Sequence, residues 1–348
     1  MRVRSCVLWG LAATLSIGVG LRAADAPYTK LAEIHVGGVG AFDYLTVDPA
    51  AKRLYLSHGT EVVVIDLANN TVIGKIADTP GVHGIAVAPG PGGHLFTSNG
   101  RENKVSIVDP KTFATIGKAD TGANPDAIMY EPKEKAVYAF NHTGGSATVI
   151  DAASGKVVAT VRLEGAVEAG QSDPGLGKVF VNIEDKDTVD VIDTATHTVS
   201  ARWPIAPAEG GTGMAIDPVA HYIFVGGGKF VVMMDAHGGK VLASAPICNG
   251  TDATSYDPGT KNLFVSCSDG HLTVVHVDSP SKLSVVQTIE TARGARTNAL
   301  DPTTHRVYVA AQNYQPVDPN APAPPAGGRG RGPAAVPDSL HVMVYGTK

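Results

Sequence analysis

Apolar residues fall in short runs along this chain, such as Leu54-Tyr55-Leu56, Val62-Val63-Val64-Ile65 and Val179-Phe180-Val181. β-Branched and aromatic side chains dominate these runs, and Gly, Asn or Asp-Pro closes most of them, which predicts many short strands joined by tight turns. Long helices are not expected.

The punctuation is periodic. An acidic-Pro or similar dipeptide recurs at Asp48-Pro49, Ala88-Pro89, Glu131-Pro132, Asp173-Pro174, Asp217-Pro218, Asp257-Pro258 and Asp301-Pro302, with the prolines 40, 43, 42, 44, 40 and 44 residues apart. Six or seven residues after each proline an aromatic opens a strand: Tyr55, Phe96, Tyr138, Phe180, Phe224, Phe264 and Tyr308. A second mark follows in six units, an apolar pair running into aspartate, as in Ile65-Asp66 and Ile150-Asp151. Each unit therefore holds four antiparallel strands: one before the proline, one at the aromatic, one ending at the aspartate, and one like residues 71–76. Proline presets φ and aspartate bonds the turn backbone, so Asp-Pro belongs between the first two strands.

A four-stranded unit cannot bury both of its faces alone, and repeats of this length stack radially. The seventh copy ends after its third strand at Lys348, while an unpaired strand, Leu31 to Val36, precedes the first copy. Lending that strand to the last unit would pair two edges that would otherwise stay open. The predicted fold is all-β, a seven-bladed β-propeller closed by its N-terminal strand.

The aromatic strands read Tyr55-Leu-Ser-His, Phe96-Thr-Ser-Asn, Tyr138-Ala-Phe-Asn, Phe180-Val-Asn-Ile, Phe224-Val-Gly-Gly, Phe264-Val-Ser-Cys and Tyr308-Val-Ala-Ala. In this the chain resembles the YVTN-repeat, YncE-like family over nearly all of its mature length. The resemblance implies a bacterial periplasmic or secreted seven-bladed propeller. Gly226-Gly227 and Ala310-Ala311 depart from the motif, so a polar ring built from its last positions would be incomplete there.

Composition adds boundaries. Arg2 and Arg4, an apolar run from Val7 to Leu21, and small residues at Ala23, Ala24 and Ala26 form the pattern of a cleavable secretory signal, residues 1–26, too short to serve as a membrane span. Its removal leaves 25 basic against 32 acidic residues, a balance that argues against nucleic acid as a main partner. Residues 27–348 are expected to form one domain and a monomer. Residues 314–338, rich in Pro, Gly and Ala with Arg329 and Arg331, read as a disordered loop between the second and third strands of the last blade.

Binding in propellers gathers where the loops feeding each first strand meet those leaving each second strand, at the mouth of the central channel. The position six residues before each proline is Asp43, His83, Asp126, Glu168, Thr212, Asp252 and Arg296. Four carboxylates around a narrow mouth repel unless a cation, a proton or a basic ligand compensates them; the structural alternative is that they hold backbone amides of neighbouring blades. Loops leaving the second strands add His58, Asn99, Asn141 and His142, and His58, His83 and His142 are candidate metal ligands on neighbouring blades. The spacing is not a recognised metal motif.

Cys248 and Cys267 fall on the same face of blade six, as a candidate disulfide or two buried thiols. No Cys-x-x-Cys-His or Gly-x-Ser-x-Gly occurs, so neither c-type haem nor a serine nucleophile has local support. The remaining histidines His197, His221, His237 and His305 fall in turns of the opposite face and read as solvated. No cofactor is identified. The first functional reading is a scaffold that binds a protein or small-molecule ligand, a cationic one matching the mouth. The alternative is a metal-assisted hydrolase or lyase, or a cofactor-linked redox protein, acting at the same mouth.

Overall fold

In the computed structural model, residues 27–90, 92–316 and 334–348 are described. The expected leader, residues 1–26, and the middle of the expected loop, residues 317–333, lie outside them. Among the described residues the strands form seven separate four-stranded antiparallel sheets. Blade one consists of Phe42–Asp48, Arg53–His58, Glu61–Asp66 and Thr71–Ile76, and blades two to six repeat that order. Helix among the described residues is confined to one short 3-10 turn, Glu184–Lys186. No helix among them is long and apolar enough to cross a membrane.

The closure follows the sequence expectation. In blade seven the order is Thr29–His35, His341–Gly346, Arg306–Ala311 and Asn298–Asp301, so a strand from the beginning of the chain forms the outer edge of the last sheet. It pairs antiparallel, with Thr29 opposite Gly346 and Ile34 opposite Val342. One apolar cluster then spans blades seven and one, joining Ile34, Tyr308 and Val342 to Phe42, Leu54 and Leu56. The seven repeat aromatics are all buried. Each stands on the second strand of its blade, where burying a large ring against the neighbouring sheet supplies most of the local driving force.

The turns opposite the mouth correct one expectation. His221 and His305 are not simply solvated: each sends Nδ1 to a fully buried carboxylate of the preceding blade, His221 to Asp173 and His305 to Asp257, both at 2.7 Å. The aspartates are the acidic members of the Asp-Pro pairs of blades four and six. They also accept amides of their own turns, from Leu176 and Gly259. A buried carboxylate needs such partners, and these two link adjacent blades.

The loop expected over residues 314–338 has an ordered base. Tyr314 bridges Ala335, Gln315 N donates to Ala334 O at 2.7 Å, and Val336 N donates to Asn313 O at 2.8 Å. Backbone pairing thus brings the two ends of the insertion together.

Candidate functional site

The first strands line the channel, and in blades one to six each shifts register close to its start: between Phe42 and Leu45, Val82 and Ile85, Pro125 and Ile128, Val167 and Gly170, Gly211 and Gly213, and Thr251 and Ala253. The position six before each proline lies inside every one of these irregularities. A bulge breaks the alternation of a strand and re-aims a side chain, here at the channel mouth. The third residue of the aromatic motif fixes the same backbone. Ser57 Oγ accepts from Asp43 N at 2.9 Å, Ser98 Oγ donates to Asp126 O, and Ser266 Oγ donates to Arg296 O at 2.6 Å. Asn182 Nδ2 reaches Gly213 O at 3.2 Å in the same manner.

The ring residues meet one another across blade boundaries. His83 Nδ1 is 2.7 Å from Asp43 Oδ2 and 3.7 Å from Asp126 Oδ1. Arg296 Nε is 2.6 Å from Asp252 Oδ2 and its Nη2 3.4 Å from Asp43 Oδ1, while its guanidinium lies over the Phe42 ring. His142 Nδ1 is 3.0 Å from Glu168 Oε1. The carboxylates are therefore paired with basic side chains of neighbouring blades rather than with backbone amides. Thr212 closes a gap differently, donating to Thr251 O at 2.8 Å.

Burial and mutual repulsion set the protonation of this ring. Desolvation pushes the Asp126 carboxyl up to about 7, against the pull of His83 and with the push of Asp43 and Glu168. Asp252 is likewise pushed up to about 7 by desolvation, opposed by Arg296. The hydrogen bond to Glu168 raises His142 to about 9. The His83 imidazole is also raised; burial opposes this, and the bond to Asp43 and the charge of Asp126 overcome it. Tyr44, which sequence reasoning missed, faces all four carboxylates; burial and then the charges of Asp252, Asp126, Glu168 and Asp43 hold its phenol well above the usual range. Its position next to Asp43 inside a repeat offset was the available signal.

Below the mouth lies a central cavity of about 540 Å³, walled by the first strands of all seven blades. Ile85, Ile128, Met214 and Leu300 give its wall apolar stretches, and Thr46, Gln171, Thr254 and Asn298 give it polar ones, with Asp252 and Tyr44 also lining it. That volume suits a small molecule.

Several expected site residues are elsewhere. Asn99 and Asn141 are fully buried inside their own blades. Asn99 Nδ2 donates to Glu102 and Ser106, and Asn141 Nδ2 to Ser146 and Thr148, so both pin hairpins instead of facing the channel. His58 is also buried. The expected trio of His58, His83 and His142 is not brought together. Among the described residues, Asp43, His83 and Asp126 place one donor atom each within 4.8 Å of one another, and so do His142, Glu168 and Glu184. Cys248 and Cys267 are joined in a disulfide, their Cα atoms 5.8 Å apart, which fastens the loop leading to Asp252 onto the second strand of blade six.

No protein-family model matches the chain. The uncharacterised protein YncE of Salmonella typhi is 29% identical over 100 residues, 28% of this chain and 28% of that protein. YncE of Salmonella typhimurium is 27% identical over 99 residues with the same coverage, so the match spans little more than a quarter of these relatives. Among solved structures, Kuenenia stuttgartiensis hydrazine synthase gives a TM-score of 0.68 at 20% identity, covering 78% of this chain and 94% of that one. A chain of the mitotic checkpoint complex gives 0.67 at 14% identity, covering 89% and 96%. At these identities the structural likeness concerns the fold alone.

Proposed function

Starting from the likeness to the YncE-like propellers, we propose that this chain is an exported binding protein whose carboxylate-lined channel mouth receives a small cationic ligand. One observation carries this reading. Four carboxylates from blades one, three, four and six converge over a central cavity of mixed polar and apolar lining, and two of them, Asp126 and Asp252, hold protons up to about pH 7 although His83 and Arg296 stand beside them. A cation arriving at the mouth takes the place of those protons, and its desolvated contact with carboxylate is stronger than in water. The cavity then accommodates the body of the ligand.

Calorimetric titration of residues 27–348 with Ca²⁺, Mg²⁺, Zn²⁺, spermidine and benzylammonium, in two buffers of different ionisation enthalpy, tests this. The expected result is binding of at least one cation, with proton release, tighter at pH 8 than at pH 6 and weakened about tenfold or more by Asp126→Asn. Absence of binding across the panel at both pH values sinks the reading.

Export is supported by the leader pattern of residues 1–26 and by the disulfide, which belongs to an oxidising compartment. Osmotic-shock release of a chain beginning near Asp25 is expected; an intact Met1 terminus in the cytosolic fraction overturns it.

The donor set Asp43, His83 and Asp126 favours one second reading, metal-assisted hydrolysis or lyase chemistry at the mouth. Elemental analysis of the purified protein and of His83→Ala decides it. Stoichiometric metal that is lost in the variant supports this reading, and no metal in either chain removes it.

A further inference from the structure

Where the ring closes, a glycine strap crosses the mouth face. Gly37, Gly38, Val39 and Gly40 lead from the outer strand of blade seven into the first strand of blade one, and the three glycines have φ of 71°, 82° and 139°. Under the strap lies His58, 3% exposed. A Cβ at Gly38 would fall 2.8 Å from the imidazole Cε1, and one at Gly40 3.4 Å from Nε2, so the strap lies directly on the ring. The buried Nε2 has no hydrogen-bond partner. Nδ1 stands 3.8 Å from Glu61, whose carboxylate is held by Lys75 at 2.7 Å.

The other side of the strap is tied to the far end of the insertion. Gly38 N donates to Asp338 Oδ1 at 2.9 Å, and Asp338 N donates to Gly38 O at 2.8 Å. His35 Nε2 lies 3.8 Å from Asp338 Oδ2. The charged and titratable groups around the strap and His58 are thus Glu61 and Lys75 from blade one, and His35 and Asp338 across the closure. The strap itself carries none.

We propose that this strap is an acid-sensitive latch on the ring closure, which lifts when His58 takes up a proton. A neutral imidazole tolerates the site because it brings no charge to solvate and only one N–H, although Nε2 has no partner and Nδ1 stands 3.8 Å from Glu61. An imidazolium has two N–H donors to satisfy and a charge to solvate, and with Glu61 engaged by Lys75 the nearest remaining solvent is water reached by lifting the strap. Burial already holds the imidazole below its ordinary value, with Glu61 opposing. The closed strap therefore binds the proton less well than the open one, and acidification favours opening.

Hydrogen exchange at the amides of residues 37–41 in the mature chain, corrected for the intrinsic pH dependence of exchange, tests the latch. Protection there is expected to fall tenfold or more between pH 7.5 and pH 5, while the blade-four strand Lys178–Ile183 keeps its protection. His58→Gln should abolish the fall and His35→Gln should retain it. Protection that survives to pH 5, a fall unchanged in His58→Gln, or one lost in His35→Gln each overturns the proposal. Should His58→Gln not fold, the NMR titration of His58 in the unaltered chain decides: a midpoint below 6.5 accompanied by shifts of the strap amides supports it, and a midpoint at or above 6.5 overturns it.

Discussion

Arg296 of blade seven reaches back to Asp252 of blade six, its Nε 2.6 Å from Oδ2, and the same guanidinium extends Nη2 toward Asp43 of blade one at 3.4 Å. One side chain thus ties three blades across the point where the chain closes on itself. Of the ring's basic groups, it alone keeps its charge at every working pH.

Replacing it should expose that role. Arg296→Met removes the partner of two half-buried carboxylates and is expected to cost about 1–2 kcal/mol, after discounting for the solvent-facing third of the guanidinium. The loss should be larger at pH 8 than at pH 6, because Asp252 is largely protonated at the lower value. Urea unfolding at the two pH values measures it, and equal losses would contradict this electrostatic account.

The ring also sets the pH profile. Asp126 and Asp252 have folded values raised to about 7 from 3.8, so their favourable contribution is complete below about pH 4 and is lost as pH rises through 7. His142, raised from 6.5 to about 9, contributes fully below 6.5 and loses that contribution as pH rises through 9. Both move stability downward with rising pH, whereas His58, held low by burial, opposes them below 6.5. The urea midpoint is expected to fall between pH 6.5 and 9, and His142→Gln should flatten that interval.

The disulfide joins residues 19 apart in sequence and so closes a loop that contains the strand Thr251–Asp257, which carries Asp252. Chain entropy assigns such a loop about 3 kcal/mol. The double variant Cys248→Ser, Cys267→Ser should unfold at correspondingly lower urea, and the unaltered protein should shift toward it when reduced. An unchanged midpoint on complete reduction would show that the cross-link is not stabilising.

Closure can be tested through Ile34, which is 2% exposed and packs in the cluster shared by blades seven and one. Ile34→Ala is expected to cost about 2–5 kcal/mol. An exposed outer-strand residue such as Ile73 serves as the contrast, with Ile73→Ala expected to change stability by only about 0.5 kcal/mol.

Spacing alone located the seven units, the closing strand and the positions that feed the mouth. Strand periodicity and turn chemistry are local, and a proline every forty-odd residues records the length of one blade. The sequence could not say that Asn99 and Asn141 turn inward, because their neighbours Ser106, Ser146 and Thr148 are supplied by strand pairing. Nor could it show that His58 lies beneath Gly38. Which imidazole meets which carboxylate depended on how adjacent blades are rotated about the channel, and only the closed ring fixes that rotation. It is why His83 stands beside Asp43 of the preceding blade, 40 residues away, and why Arg296 reaches Asp43 from 253 residues away.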